Sequence, residues 1–97
     1  MLTKEKILKK IQQHSETIGA YGIKRVGIFG SFVKANQTSK SDIDVLVEFD
    51  RGTKTFDNYM DFKFFLEKMF HRKVDLVIRD TLKARIKNKV LSEVKYA

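Results

Sequence analysis

Gly30-Ser31, closing a short apolar run, and Asp42-Ile43-Asp44, opening another, are the residues whose types and spacing could do chemistry. A strand that ends in Gly-Ser and turns into a helix presents free backbone N–H groups and a hydroxyl. Such a turn holds anions, helped by the helix dipole. Glycine at position 30 removes the Cβ that would keep a phosphate at a distance. The Ser31 hydroxyl can bond a phosphate oxygen, and Lys34, one turn on, can add a positive charge. Asp42 and Asp44 are alternate residues of a strand, so both point to one face, roughly 6–7 Å apart at the backbone. Two like charges held together are costly unless a cation sits between them. Oxygen-only ligands of this kind suit Mg²⁺ or Mn²⁺, which keep waters and take further ligands from substrate phosphates. Asp75, in a later apolar run, could supply a third carboxylate. Three acidic groups around one or two hard cations are the equipment of phosphoryl and nucleotidyl transfer. Gly-Ser or Asp-x-Asp alone is common in proteins without such a site; the two together, one after a strand and one at the start of the next, are far more specific.

Several elements must position these residues. Thr3 can cap a first helix with Ile7, Leu8, Ile11 and Ile18 as its apolar stripe and His14 on its surface; Gly19 and Gly22 bracket its exit. Arg25 to Phe29 reads as a strand. Ser31 then caps a brief helical turn through about Ala35, and a polar loop, 36–41, leads into a buried strand from Asp42 to Phe49. A second long helix runs from about Phe56 to His71. Tyr59, Phe62, Phe65, Leu66, Met69 and Phe70 form its broad face toward the sheet. Phe56, Met60 and Phe64 form a second stripe, covered either internally, by the first or last helix, or by a partner. Lys73 to Ile78 is a third strand. Asp80 or Thr81 caps a final helix with Leu82, Ile86, Val90 and Val94 buried and Lys83, Arg85, Lys87 and Lys89 facing out. Strands alternating with helices predict an α/β fold, a small mixed β-sheet with helices packed against it, as one domain over 1–97.

Composition narrows the class. With 97 residues there is room for one modest core, and 42% hydrophobic with 33% charged residues describes a soluble globular protein. There are no cysteines, so no disulfide or thiolate metal site holds it together, in keeping with a cytoplasmic location. No apolar run approaches the roughly 20 residues that span a bilayer, so no membrane role is expected. The formal net charge of +8 is spread along the helices without interleaved aromatics. It fits steering of polyphosphate substrates better than a nucleic-acid groove.

Gly30-Ser31, ten residues, then Asp42-x-Asp44 resembles the signature of the nucleotidyltransferase superfamily that includes DNA polymerase beta. Phe29-Gly30-Ser31-Phe32 with Ser41 to Phe49, Val74 to Val77, Leu82 to Ile86 and Val90 to Val94 is similar to its minimal prokaryotic branch, the MNT proteins. The resemblance covers most of the chain from Tyr21 onward. It implies the polymerase beta-like fold and transfer of a nucleoside monophosphate from a triphosphate to a hydroxyl. Gly30 and Ser31 would hold the triphosphate, with Lys34 beside them. Asp42, Asp44 and Asp75 would bind Mg²⁺, and Asp75 would also help activate the acceptor. MNT proteins are often antitoxins that adenylylate a HEPN toxin partner on tyrosine with ATP. The chain departs from the family's Ala-Arg-Gly at Val33-Lys34-Ala35. Lysine lacks the planar fork of arginine, and alanine the conformational freedom of glycine. Two alternatives stand beside this reading: an antitoxin that neutralises by binding alone, and a small-molecule nucleotidyltransferase. About twenty residues follow Asp75, room for one helix and no second lobe, so a HEPN-type protein or another copy of the chain is expected to complete the site. The Phe56/Met60/Phe64 stripe is the candidate contact, with the basic last helix second.

Overall fold

Three β-branched apolar runs become strands β1 (Ile23–Phe29), β2 (Ile43–Phe49) and β3 (Val74–Ile78) of one sheet. The computed structural model describes every residue from Met1 to Ala97. A two-residue strand absent from the expectation, β4 (Lys95–Tyr96), completes the order β3-β2-β1-β4. The sheet is mixed: β1 pairs antiparallel with β2 and β4, and β2 pairs parallel with β3. Val45, Leu46 and Val47 of β2 are all fully buried, as expected of a central strand covered on both faces. Asp42 lies just before β2, where the Ile43 N–H is bonded to the Lys73 carbonyl at 3.0 Å.

The helices are α1 (Lys4–Gln13), α2 (Ser15–Ala20), α3 (Phe56–Phe70) and α4 (Ala84–Glu93). Ile7, Ile11 and Ile18 from α1 and α2 join Phe62, Leu66 and Phe70 from α3 in one core cluster with Val26, Ile28, Val45 and Val47 of the sheet. The Tyr59 hydroxyl, on the same face of α3, donates to the Leu76 carbonyl at 2.6 Å and ties the helix to β3. None of the helices is long and apolar enough to cross a membrane.

Several expectations about the helices are corrected, among them Ile86, expected buried on the last helix and 42% exposed. The first helix is two: Thr3 caps α1 by accepting from the Lys6 N–H, but the chain breaks at His14, whose Nδ1 lies 2.8 Å from the Lys10 carbonyl. Ser15, Thr17 and Gly19 beyond it are weak helix formers, so α2 is short and turns to seat Ile18 in the core. The last helix starts later than expected. Residues Arg79–Thr81 form one 3₁₀ turn in which the Thr81 hydroxyl donates to the Ile78 carbonyl, and α4 begins after Lys83 without a side-chain cap. Finally, the second stripe of α3 is not covered internally. Phe56 is 77% and Phe64 55% exposed, while Met60 between them is half-buried.

Two backbone positions shape the turns near β1. Ala35 has φ +59°, the left-handed region that costs an L-residue with a Cβ about 1–2 kcal/mol. Gly27 lies under the return of the chain, where a Cβ would sit 2.8 Å from Val94 Cγ2 and 2.9 Å from the Lys95 carbonyl oxygen. Relief of the strain at Ala35, less the greater freedom glycine has in the unfolded chain, should make Ala35→Gly more stable by about 0.5–1 kcal/mol. Urea denaturation measures it; a loss of stability would contradict the strain.

Candidate active site

The parallel ladder between β2 and β3 puts Asp44 directly opposite Asp75, in register. On the other side, the β1–β2 ladder puts Phe29 opposite Asp44, so the Gly30 turn emerges beside the same carboxylate. Gly30 has φ +75°, and a Cβ there would run into the Asp44 carboxylate. Glycine is therefore needed for the turn's backbone and for its close approach to Asp44. Ser31 and Phe32 complete a single 3₁₀ turn (Gly30–Phe32). Phe32 is buried and anchors it. Ser31 was expected to cap this turn; it lies inside it, and Phe29 is the capping position, without a side-chain bond.

Asp44 is half-buried, whereas Asp42 and Asp75 are exposed. Burial first, then the charges of Asp75, Asp42 and Glu93, push the Asp44 carboxyl from 3.8 up to about 6. The three predicted carboxylates are thus close enough to feel one another, and a fourth, Glu93, joins them. The chain's two ion pairs, Arg25–Glu48 at 3.5 Å and Lys34–Glu93 at 3.4 Å, leave Asp42, Asp44 and Asp75 with no lysine or arginine partner. In a chain with 20 basic residues, that is an acid cluster left without a cation of its own. No three acidic, cysteine or imidazole side chains come close enough together to hold a metal ion as they stand. An open set of carboxylate oxygens fits a hard divalent ion that keeps waters and takes substrate oxygens as its remaining ligands.

Two site residues escaped the sequence reading. Glu93, the last residue of α4, accepts the Gly30 N–H at 3.1 Å through Oε1 and pairs with Lys34 through Oε2. Its signal was present: it is the one acid between Leu82 and Lys95. Arg72 donates to the carbonyls of Ser41 at 3.0 Å and Thr38 at 3.3 Å, and its guanidinium lies 5.4 Å from the Phe32 ring centre. It stitches the polar loop that delivers Asp42 to the start of β3, a contact between residues 31 apart that no local pattern could show.

A groove of about 430 Å³ opens between α4 and the sheet beside Asp75, with Phe29, Val77 and Val90 among its apolar lining and Lys83 and Arg85 among its charged lining. A cavity of similar volume, about 410 Å³, lined by residues such as Ile11, Ile18, Arg25 and Tyr96, includes none of the carboxylates. Chemistry singles out the first.

A mixed sheet with carboxylates on neighbouring strands beside a Gly-Ser turn is the arrangement that the resemblance to the nucleotidyltransferases implied. The chain belongs to the nucleotidyltransferase domain family, whose model matches residues 4–97. It is 33% identical over 97 residues to the protein adenylyltransferase MntA of Thermococcus cleftensis, covering 99% of this chain and 97% of that protein. A solved structure assigned as a minimal nucleotidyltransferase superposes with a TM-score of 0.82 at 28% identity, covering 97% of this chain and 95% of the other. A chain from the complex of a tri-AMPylated Shewanella oneidensis HEPN toxin with its MNT antitoxin superposes with a TM-score of 0.67 over 97% of this chain and 71% of that one. At 18% identity this last likeness is one of fold.

The raised Asp44 value has a consequence for stability. Below pH 3.8 the group is neutral whether folded or not, and above about 6 it is ionised in the fold at a cost. Its contribution therefore makes the fold less stable as pH rises from about 4 through 6. Asp44→Asn should stabilise the chain in chelator by about 1 kcal/mol at pH 7.5, after allowance for solvent screening, and by nothing at pH 3.5. Urea titrations at the two pH values measure this; a variant less stable at pH 7.5 would contradict the cost of ionising Asp44 in the fold.

Proposed function

We propose that this chain transfers AMP from ATP to a hydroxyl of a HEPN-type toxin, a tyrosine's, and acts in this way as the toxin's antitoxin in the cytoplasm. The observation that carries the reading is the placement of Asp44 against both Asp75 and the Gly30 turn, in an acid cluster without a protein counter-charge. The adenylyltransferase name of its Thermococcus relative and the AMPylated toxin in the Shewanella complex support the choice of nucleotide and partner.

In this reading Ser31 and Lys34 bind the triphosphate, and Asp42, Asp44 and Asp75 hold Mg²⁺. Bound Mg²⁺ supplies neutralisation of the phosphate charge and acidifies the acceptor hydroxyl. The acceptor oxygen bonds to the α-phosphorus, the α–β bridging bond breaks, and pyrophosphate leaves. The hydroxyl proton passes to the Asp75 carboxylate, the member of the cluster that lines the groove. The net charge of +8 draws polyphosphate and leaves the acid cluster as a local exception. Phe56 and Phe64, exposed on α3, form the surface on which the toxin docks.

The departure at Lys34-Ala35, with Ala35 strained at a positive φ, favours a second reading, in which the chain neutralises the toxin by binding alone. The two are separated by incubating the chain with ATP, Mg²⁺ and its HEPN partner and weighing the partner. Adenylylation adds whole AMP units, and Asp42→Asn should cut the rate at least about a hundredfold. An unchanged partner mass with folded protein excludes transfer. Growth rescue by Asp42→Asn equal to wild type would favour blockade. Phe64→Glu should weaken capture of the partner by about tenfold while leaving thermal stability unchanged, since the ring is exposed.

A further inference from the structure

Glu93 belongs to the end of the chain farthest in sequence from the Gly-Ser turn, yet both its carboxylate oxygens are engaged there. Oε1 accepts the Gly30 N–H at 3.1 Å, and Oε2 lies 3.4 Å from the Lys34 ammonium. Its side chain is 18% exposed, against 45% for Lys34. We propose that Glu93 is a positioning residue for nucleotide binding: it fixes the Gly30 turn and the Lys34 ammonium relative to each other so that both meet the triphosphate already in place. This inference rests on reading Gly30, Ser31 and Lys34 as the phosphate turn.

The anchoring of Glu93 is built from three contacts. It ends α4, where the Val94 N–H still bonds the Val90 carbonyl at 3.0 Å. The next residues, β4, pair with Gly27 and Ile28 of β1, and the Ala97 N–H donates to the Val26 carbonyl at 2.9 Å. Gly27 is the condition for this: a Cβ there would collide with Val94, Lys95 and Tyr96. The base of the Glu93 side chain is thus clamped to the same strand, β1, that delivers the Gly30 turn.

The partners on the turn fit the role. The first N–H groups of a helical turn have no acceptor within it, and a half-buried one left unpaired is costly. Glu93 satisfies that of Gly30 and leaves the Ser31 hydroxyl uncommitted to it. A lysine ammonium has three donors on a flexible four-carbon stem. One donor on Glu93 holds the stem over the turn and leaves two for phosphate oxygens. Ordering the stem before nucleotide arrives removes part of the entropy cost of binding. A carboxylate acting instead as a plug, occupying the phosphate position, would give the opposite sign on removal.

The test is the affinity for MgATP by calorimetry, with KM and kcat for transfer to the HEPN partner. Glu93→Ala should raise Kd and KM for MgATP about tenfold, the worth of a charge-assisted pair, and change kcat less than about threefold. Glu93→Gln keeps an acceptor for the Gly30 N–H and the same shape, loses the charge that holds Lys34, and should fall between. A merely structural role would lower the fraction of active protein, and so kcat, while leaving Kd of the folded remainder at the wild-type value. Equal or tighter MgATP binding by Glu93→Gln overturns the inference and leaves the proposed activity intact. A wild-type chain that binds no MgATP and modifies no partner overturns the activity, and the inference with it.

Discussion

Asp44 and Asp75 face one another across a parallel pair of strands, and the half-burial of Asp44 beside that second carboxylate is the constraint on which the rest of the site depends. An isolated pair of this kind would relax by turning outward or taking up a proton. Here the register with β3 and the packing of β2 hold Asp44 half-buried, which, with the neighbouring carboxylates, pushes its carboxyl up to about 6. The fold keeps the repulsion because the strands on either side of Asp44 are fixed by an apolar core that has no stake in the charges: Val45, Leu46 and Val47 follow it, all fully buried. Stability comes from that core, and the candidate site sits at the polar end of the same strand.

The same division of labour runs through the turns. Glycine at 30 lets the backbone pass close to the Asp44 carboxylate, and glycine at 27 lets the C-terminal strap lie against β1. Each gives up side-chain packing for proximity. Ala35 sits in a left-handed conformation without that freedom, so the loop between the two halves of the site carries strain there. Arg72 offsets the looseness of that loop by bonding two of its carbonyls and stacking toward Phe32.

The small size of the domain shows in its surfaces. α3 is apolar on two sides, and the sheet takes only one, leaving Phe56 and Phe64 in water. The groove beside Asp75 is open along α4, with cationic Lys83 and Arg85 among its lining. The candidate site is thus open on one side, and the aromatic stripe of α3 is uncovered at Phe56 and Phe64.

The amino-acid sequence by itself determined the three main strands, the face of α3 that meets the sheet, and the six residues Gly30, Ser31, Lys34, Asp42, Asp44 and Asp75 as candidates. These were legible because alternation, helical periodicity and turn chemistry are local. The structure brings Asp75 against Asp44 and sets the Gly30 turn beside the same carboxylate. What the sequence could not show were matters of long-range placement: the break at His14, the late start of α4, the exposure of Phe56 and Phe64, the strand β4, and the engagement of Glu93 with Gly30 across 63 residues. Each depends on which surfaces meet once the sheet has formed. A glutamate in a basic helix looks like a solvated charge until the strap it begins is laid along β1 and its carboxylate is brought to the turn.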